Sequence, residues 1–130
     1  MILDPDNEAK KILLIDDDQV IREMYATALI KAGLDIIMAE NGSQGIEMAL
    51  KHKPAVILLD IEMPDMNGHH VAEKLRQDSW GKTAHIIFLT NRSEPEHVAH
   101  AIALRPEDYI VKANVPVKEV INRVRLAMHA

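Results

Sequence analysis

The sequence contains no cysteine. Disulfides, thiol catalysis and zinc sites built on cysteine are therefore excluded. Aromatic residues are scarce: one Trp, two Tyr and one Phe make up 3% of the chain. That leaves little from which to build a base-stacking platform for single-stranded nucleic acid. No apolar run approaches the ~18 residues needed to span a bilayer. Met1 to Lys10 is polar and acidic, unlike a signal peptide, and reads as a short flexible arm. The expected location is the cytoplasm, with no membrane partner. An excess of positive charge is missing too. With 15 basic and 20 acidic side chains the net charge is −5, which gives no electrostatic reason to expect direct nucleic-acid binding.

What is present suffices for one domain. The chain has 130 residues, of which 48% are hydrophobic, enough for a single core spanning residues 11–130. Lys11 to Ile15 reads as a buried strand running into Asp16-Asp17-Asp18. A helix should follow, with Ile21, Met24, Tyr25, Ala28, Leu29 and Ala32 on one face and Gly33 as its stop. Leu34 to Ala39 is a second strand, and Asn41-Gly42 opens a helix that ends near Lys53-Pro54. Ala55 to Leu59 has the length and branching of a strand buried on both faces. It stops at Asp60, before the breaker residues Pro64, Asn67 and Gly68. Gly68 to Asp78 should be a third helix with Val71 and Leu75 inward, followed by a loop from Ser79 to Thr83. Ala84 to Leu89 is a fourth strand ending at Thr90, and Glu94 to Leu104 a fourth helix with Pro95 in its first turn. Glu107 to Val111 is a shorter strand ending at Lys112. Pro116 then opens a last helix with Val117, Val120, Ile121, Val124 and Met128 on one face.

Five strands alternating with five helices mean a parallel sheet covered on both sides. The flavodoxin-like strand order 2-1-3-4-5 is expected for such a three-layer α/β sandwich. In that order Asp16, Asp17 and Asp60 converge on one crevice, with Thr90 and Lys112 at the ends of the next two strands. Each residue has a simpler explanation taken alone. The acids could cap the first helix, Thr90 could end a strand, and Lys112 could be solvated. Their shared edge argues otherwise. Clustered carboxylates repel one another, and a hard divalent cation relieves that repulsion. Mg²⁺ suits such an oxygen site, with Mn²⁺ as a substitute. Asp60, left with one oxygen free, could then attack phosphorus, while the metal and Lys112 neutralise the phosphoryl group and Thr90 donates a hydrogen bond to one of its oxygens.

The segments I-L-L-I-D-D-D, L-L-D-I-E-M-P-D-M-N-G, F-L-T and D-Y-I-V-K, in this order, closely resemble the receiver domain of two-component response regulators, of the chemotaxis-regulator kind. The resemblance covers Lys11 to Met128. It implies a phosphoacceptor at Asp60 and metal-binding acids at Asp16 and Asp17, with the backbone carbonyl of Glu62 as a further ligand. It implies a switch pair, Thr90 and Tyr109, and a phosphate-pairing Lys112. The implied partner is a histidine kinase or histidine phosphotransfer protein. Output would pass through the face of the fourth helix, fifth strand and fifth helix, in a monomer or a phosphorylation-dependent dimer. Such a domain catalyses only its own phosphorylation and dephosphorylation.

Three positions depart from the pattern. Ala113 follows the lysine where proline is usual, and a cis bond there would cost ~2.5–4 kcal/mol. Arg105-Pro106 replaces a common Gly-Ala pair. Asn91 stands where a small residue is usual and should narrow access to the phosphoryl group. Glu62 and Arg92, two residues beyond Asp60 and Thr90, should rim the crevice and pair across it. Two other users of related folds fit poorly. A flavin carrier would need a phosphate loop where three aspartates stand, and a haloacid-dehalogenase-type phosphatase would need a second acid followed by Thr after its nucleophile. A phosphorylation-independent pseudo-receiver that only binds proteins is the remaining alternative. Of the seven histidines, His69-His70 and the pair His97 and His100 supply too few convergent ligands for a transition-metal site and are expected at the surface. The stand-alone regulator and the receiver cut from a longer chain share this sequence pattern.

Overall fold

The computed structural model describes residues 10–129. The expected arm lies outside these residues except for Lys10, which is in a turn. The chain alternates β1 (Lys11–Ile15), α1 (Gln19–Lys31), β2 (Asp35–Ala39), α2 (Gly42–His52), β3 (Val56–Leu59), α3 (Gly68–Arg76), β4 (Ile86–Thr90), α4 (Pro95–Ala103), β5 (Asp108–Val111) and α5 (Val117–Met128). A short 3₁₀ turn, Gly81–Thr83, lies in the expected loop between α3 and β4. The sheet order is β2-β1-β3-β4-β5, all parallel. Five parallel strands with five helices form the expected flavodoxin-like sandwich.

Side-chain alternation divides the core into two layers. Leu13, Ile15, Ile57, Leu59, Ile86 and Phe88 point to one face and pack with α2, α3 and α4. Ile12, Leu14, Val56, Leu58, Ile87 and Leu89 point to the other and pack with α1 and α5. All four residues of β3 are fully buried, each contributing about 1.5–3 kcal/mol of hydrophobic stabilisation. This makes β3 the rigid centre of the sheet.

The helix faces differ in detail from the simple spacing. In α1 the buried residues are Tyr25, Ala26 and Leu29, while Met24 is 46% exposed. The helix contacts the sheet along a stripe rotated towards Ala26, so a side chain at the edge of the expected face meets water. Gly33 ends α1 with φ +88, a conformation in which a Cβ is strained. In α5, Ala127 is buried alongside Val120 and Val124.

Arg76, the last residue of α3, joins three segments. Its Nε donates to the Leu104 carbonyl at 3.0 Å, its Nη1 to Gly81 and Ala84 at 2.7 Å each, and its Nη2 to Arg105 at 3.0 Å. Arg105 itself has φ 58, the left-handed region where glycine is favoured. The loop keeps this turn without glycine, and Arg76 collects the carbonyls the turn exposes.

Candidate functional site

The last rungs of the sheet fix the backbones of the site residues. The Asp16 N–H donates to Ala39 O at 3.2 Å, Asp60 N–H to Ile15 O at 3.1 Å, and Lys112 N–H to Thr90 O at 2.8 Å. Each functional side chain therefore leaves the sheet at its carboxyl edge from an anchored peptide, where open α/β sheets keep their chemistry.

The acid triplet divides its labour. Asp18 caps α1, its carboxylate accepting from Ile21 N–H at 3.1 Å. Asp16 and Asp17 turn to the crevice. One carboxylate oxygen from each of Asp16, Asp17 and Asp60 lies within 4.8 Å of the others. Lys112 Nζ sits 2.7 Å from Asp16 Oδ2 and 3.3 Å from Asp60 Oδ2. Asp16 and Thr90 are fully buried, and Asp60 is nearly so. An all-oxygen donor set with a buried anionic floor fits a hard divalent cation, and Asp17, the exposed member, stands on the solvent side.

Burial raises the pKa of the Asp60 carboxyl above its ordinary value; Lys112 works against this, and Asp16 reinforces it. Hydrogen bonds from the Thr90 hydroxyl and the Glu62 N–H favour the ionised form. For Lys112, burial opposes the charge, but Asp60 and Asp16 together outweigh it and raise its pKa. The ammonium thus stays charged next to the carboxylate that needs it.

Two loops wall the site. The β3–α3 loop is held by Asp65, whose carboxylate accepts from Gly42 N–H at 2.9 Å and Ser43 N–H at 3.0 Å at the start of α2. Those bonds, with a helix N-terminus beneath, lower the Asp65 pKa. On the other side, Arg92 pairs with Glu62 across the crevice and with Glu94 at 3.0 Å. The Arg92 N–H donates to Thr90 Oγ1 at 3.2 Å, and its carbonyl accepts from the Tyr109 hydroxyl. Arg92 Nε and Glu94 Oε2 are shielded from water without a partner. Asn91 is exposed beside them. Between the loops opens a cavity of ≈ 490 Å³ lined by Asp17, Glu62, Met63, Asn67, Arg92 and His97, among others.

Tyr109 is half-buried, with its ring 6.0 Å from that of Phe88. No peptide bond among the described residues is cis, so the Lys112–Ala113 link is trans. The histidines depart from expectation. His69 is only 3% exposed and meets His97 and His100 across the α3–α4 seam. It lies three residues before Ala72, on the inward stripe of α3, so its neighbours in the helix rather than its polarity decide its place. Of the two residues that hold the surrounding loops, Arg76 stands in no motif, and Asp65 lies inside the L-L-D-I-E-M-P-D-M-N-G segment without a role assigned to it there.

The family model of the response regulator receiver domain matches residues 12–125. The phosphate regulon transcriptional regulatory protein PhoB of Pseudomonas aeruginosa is 34% identical over 119 residues, covering 92% of this chain and 52% of that protein. The transcriptional regulatory protein SrrA of Staphylococcus aureus is 36% identical over 117 residues, covering 90% and 47%. Among solved structures, the chemotaxis protein CheY4 of Vibrio cholerae aligns with a TM-score of 0.83 at 27% identity, covering 91% of this chain and 98% of that one. The BeF₃-activated N-terminal receiver domain of Klebsiella pneumoniae RstA aligns with a TM-score of 0.84 at 26% identity, covering 93% and 100%. The chain belongs to the response regulator receiver domain family of two-component systems. It spans about half the length of the curated relatives it matches. No helix among the described residues is long and apolar enough to cross a membrane.

Proposed function

We propose that Asp60 accepts a phosphoryl group from a phosphohistidine of a histidine kinase or histidine phosphotransfer protein, in a Mg²⁺-dependent reaction. The observation that carries this reading is one carboxylate, Asp60, held between a lysine ammonium and two further acids at the sheet edge. An Asp60 oxygen attacks phosphorus, the P–N bond breaks, and the imidazole nitrogen keeps the electron pair. Asp16, Asp17, Asp60 and the Glu62 carbonyl would hold Mg²⁺, which supplies charge neutralisation to the phosphoryl oxygens. Lys112 pairs with one of those oxygens, and Thr90 donates a hydrogen bond to another. The BeF₃-activated state named for the RstA receiver supports the same chemistry, because that anion mimics a phosphoryl group on a carboxylate. Signalling follows through α4, β5 and α5, as Thr90 and Tyr109 rearrange around Arg92. The presence of every one of these groups favours phosphorylation over the pseudo-receiver.

Intact mass after incubation with Mg²⁺ and a small phosphodonor should rise by one phosphoryl group. Asp60→Asn should remove the gain. Asp17→Ala should weaken Mg²⁺ binding and abolish the gain with the fold intact. A wild-type mass unchanged at high donor and metal would instead identify a pseudo-receiver.

The Glu62–Arg92–Glu94 clasp should prolong the life of the aspartyl phosphate. In-line hydrolysis needs a water placed to within about half an ångström, and the clasp lies over its path. Arg92→Ala or Glu62→Ala should therefore speed phosphoryl loss about tenfold, read by mass against time. High salt should hasten loss in the wild type more than in either variant. Equal decay of all three proteins at low salt would dispose of the clasp.

A further inference from the structure

We propose that the histidine-lined seam between α3 and α4 is a proton-sensitive latch on α4, closed while the buried His69 imidazole is neutral and loosened when that ring takes a proton. This rests on the reading that α4 carries the output of the phosphorylated site.

Three of the seven histidines meet here, His69, His97 and His100. His69 is 97% buried between the helices. Its Nε2 lies 3.1 Å from the His97 carbonyl oxygen. A carbonyl can only accept, so Nε2 carries the proton and the bond ties α3 to the backbone of α4. The His69 ring lies 4.1 Å from the His100 ring and 5.5 Å from the His97 ring, and meets Phe88 of β4 in a T-shaped contact at 5.9 Å. Neutral imidazoles pack in this way as small aromatics; adjacent imidazolium ions repel.

The surrounding charges offer little relief. From α3, Glu73 Oε1 contacts His100 Nε2 at 2.8 Å, and Oε2 lies 3.8 Å from His70 Nδ1. Glu94 lies near His97 at the head of α4. Arg92, Glu62 and Asp17 share a cavity wall with His97, and the acids there are already engaged with Arg92 or grouped with the other aspartates. β4 contributes only Phe88. Glu73 is therefore already engaged, by His100 through one oxygen and near His70 through the other. A proton on His69 would be offset by Glu73 and the His97 carbonyl, which do not outweigh burial and the neighbouring His100. Burial, followed by His100, lowers the pKa of His69, in line with this geometry.

The sign follows from the depression of that pKa. Above the unfolded value of 6.5 the neutral seam is fully formed. As pH falls below it, the opened state binds the proton more readily, and the closed state loses ground until the folded pKa is reached. Acid thus loosens α4 through the seam itself.

The test is hydrogen exchange of α4 amides in the unphosphorylated, Mg²⁺-free full chain at about pH 7.5 and about pH 5.5, corrected for intrinsic exchange. Protection of α4 should fall about three- to tenfold at the lower pH, with β1 and β3 unchanged. His69→Leu should abolish the difference, and the exposed change His100→Gln, which leaves folding safe, should reduce it. Asp60→Asn, which cannot be phosphorylated, should respond as the wild type does. Failure of phosphorylation would thus leave this result standing. Equal α4 protection at both pH values in the wild type, or an undiminished drop in both histidine variants, would overturn the latch.

Discussion

Exchanging Lys112 for methionine should destabilise the metal-free protein by about 3–5 kcal/mol in urea unfolding near neutral pH. Methionine preserves most of the buried stem but removes the ammonium that lies 2.7 Å from Asp16 and 3.3 Å from Asp60. Two largely buried carboxylates then face each other without a counter-ion. The deficit should shrink in acid. Burial already raises the Asp60 pKa, and the wild-type lysine holds that rise in check. Without it, the folded pKa climbs further above the unfolded value of 3.8. A folded state that binds protons more readily gains stability as pH falls from neutral towards that value. Mg²⁺ at a hundred times its dissociation constant should restore about 2.7 kcal/mol, the gain expected of an ion held by the folded site alone. A deficit of equal size at neutral and acidic pH, untouched by Mg²⁺, would show that the lysine acts by packing alone.

Gly68→Ala should slow phosphorylation of Asp60 about a hundredfold, the penalty for a misplacement of about 1 Å. A Cβ on Gly68 would stand 2.2 Å from the Asp60 carbonyl oxygen and 2.9 Å from both the Asp60 carbonyl carbon and Ile61 Cα. All three are backbone atoms, so no side chain can swing aside. The turn that presents Asp60 must itself move, at a further cost of about 1–3 kcal/mol in stability. Gly33→Ala is the control. There φ is +88 with nothing within 4 Å of the added carbon, so strain of about 1–2 kcal/mol is expected with phosphorylation unchanged. A folded Gly68→Ala protein that phosphorylates at the wild-type rate would show that Asp60 tolerates displacement.

These two positions show what the sequence can and cannot disclose. Asp60 is legible because an acid at the end of a buried apolar run has only the strand mouth to occupy. The strand order is legible because alternation and right-handed crossovers leave few arrangements. The Glu62–Arg92 pair was expected from two-residue offsets on facing loops, and the side chains do meet. His69 was not legible, because polarity suggests the surface while its place depends on how α3 rolls against α4. Arg76 was less legible still. Its partners are carbonyls of Gly81, Ala84, Leu104 and Arg105, and a main-chain acceptor leaves no trace in residue identity. Met24 was misplaced because spacing gives a face but not its exact centre.

The four carbonyls gripped by Arg76 also determine how α4 can travel. Two of them, at Leu104 and Arg105, belong to its carboxyl end. The other end, beginning with Glu94 and Pro95, is held more lightly, by the Arg92–Glu94 pair and the single His69 bond to the His97 carbonyl. A rod of nine residues pinned at one tip is about 13 Å long. It can swing but not slide. A tilt of about ten degrees carries its free tip roughly 2 Å over that length, while the pinned tip stays put. Any surface that reads this helix must therefore sense an angle, and displacement grows steadily towards Asp60.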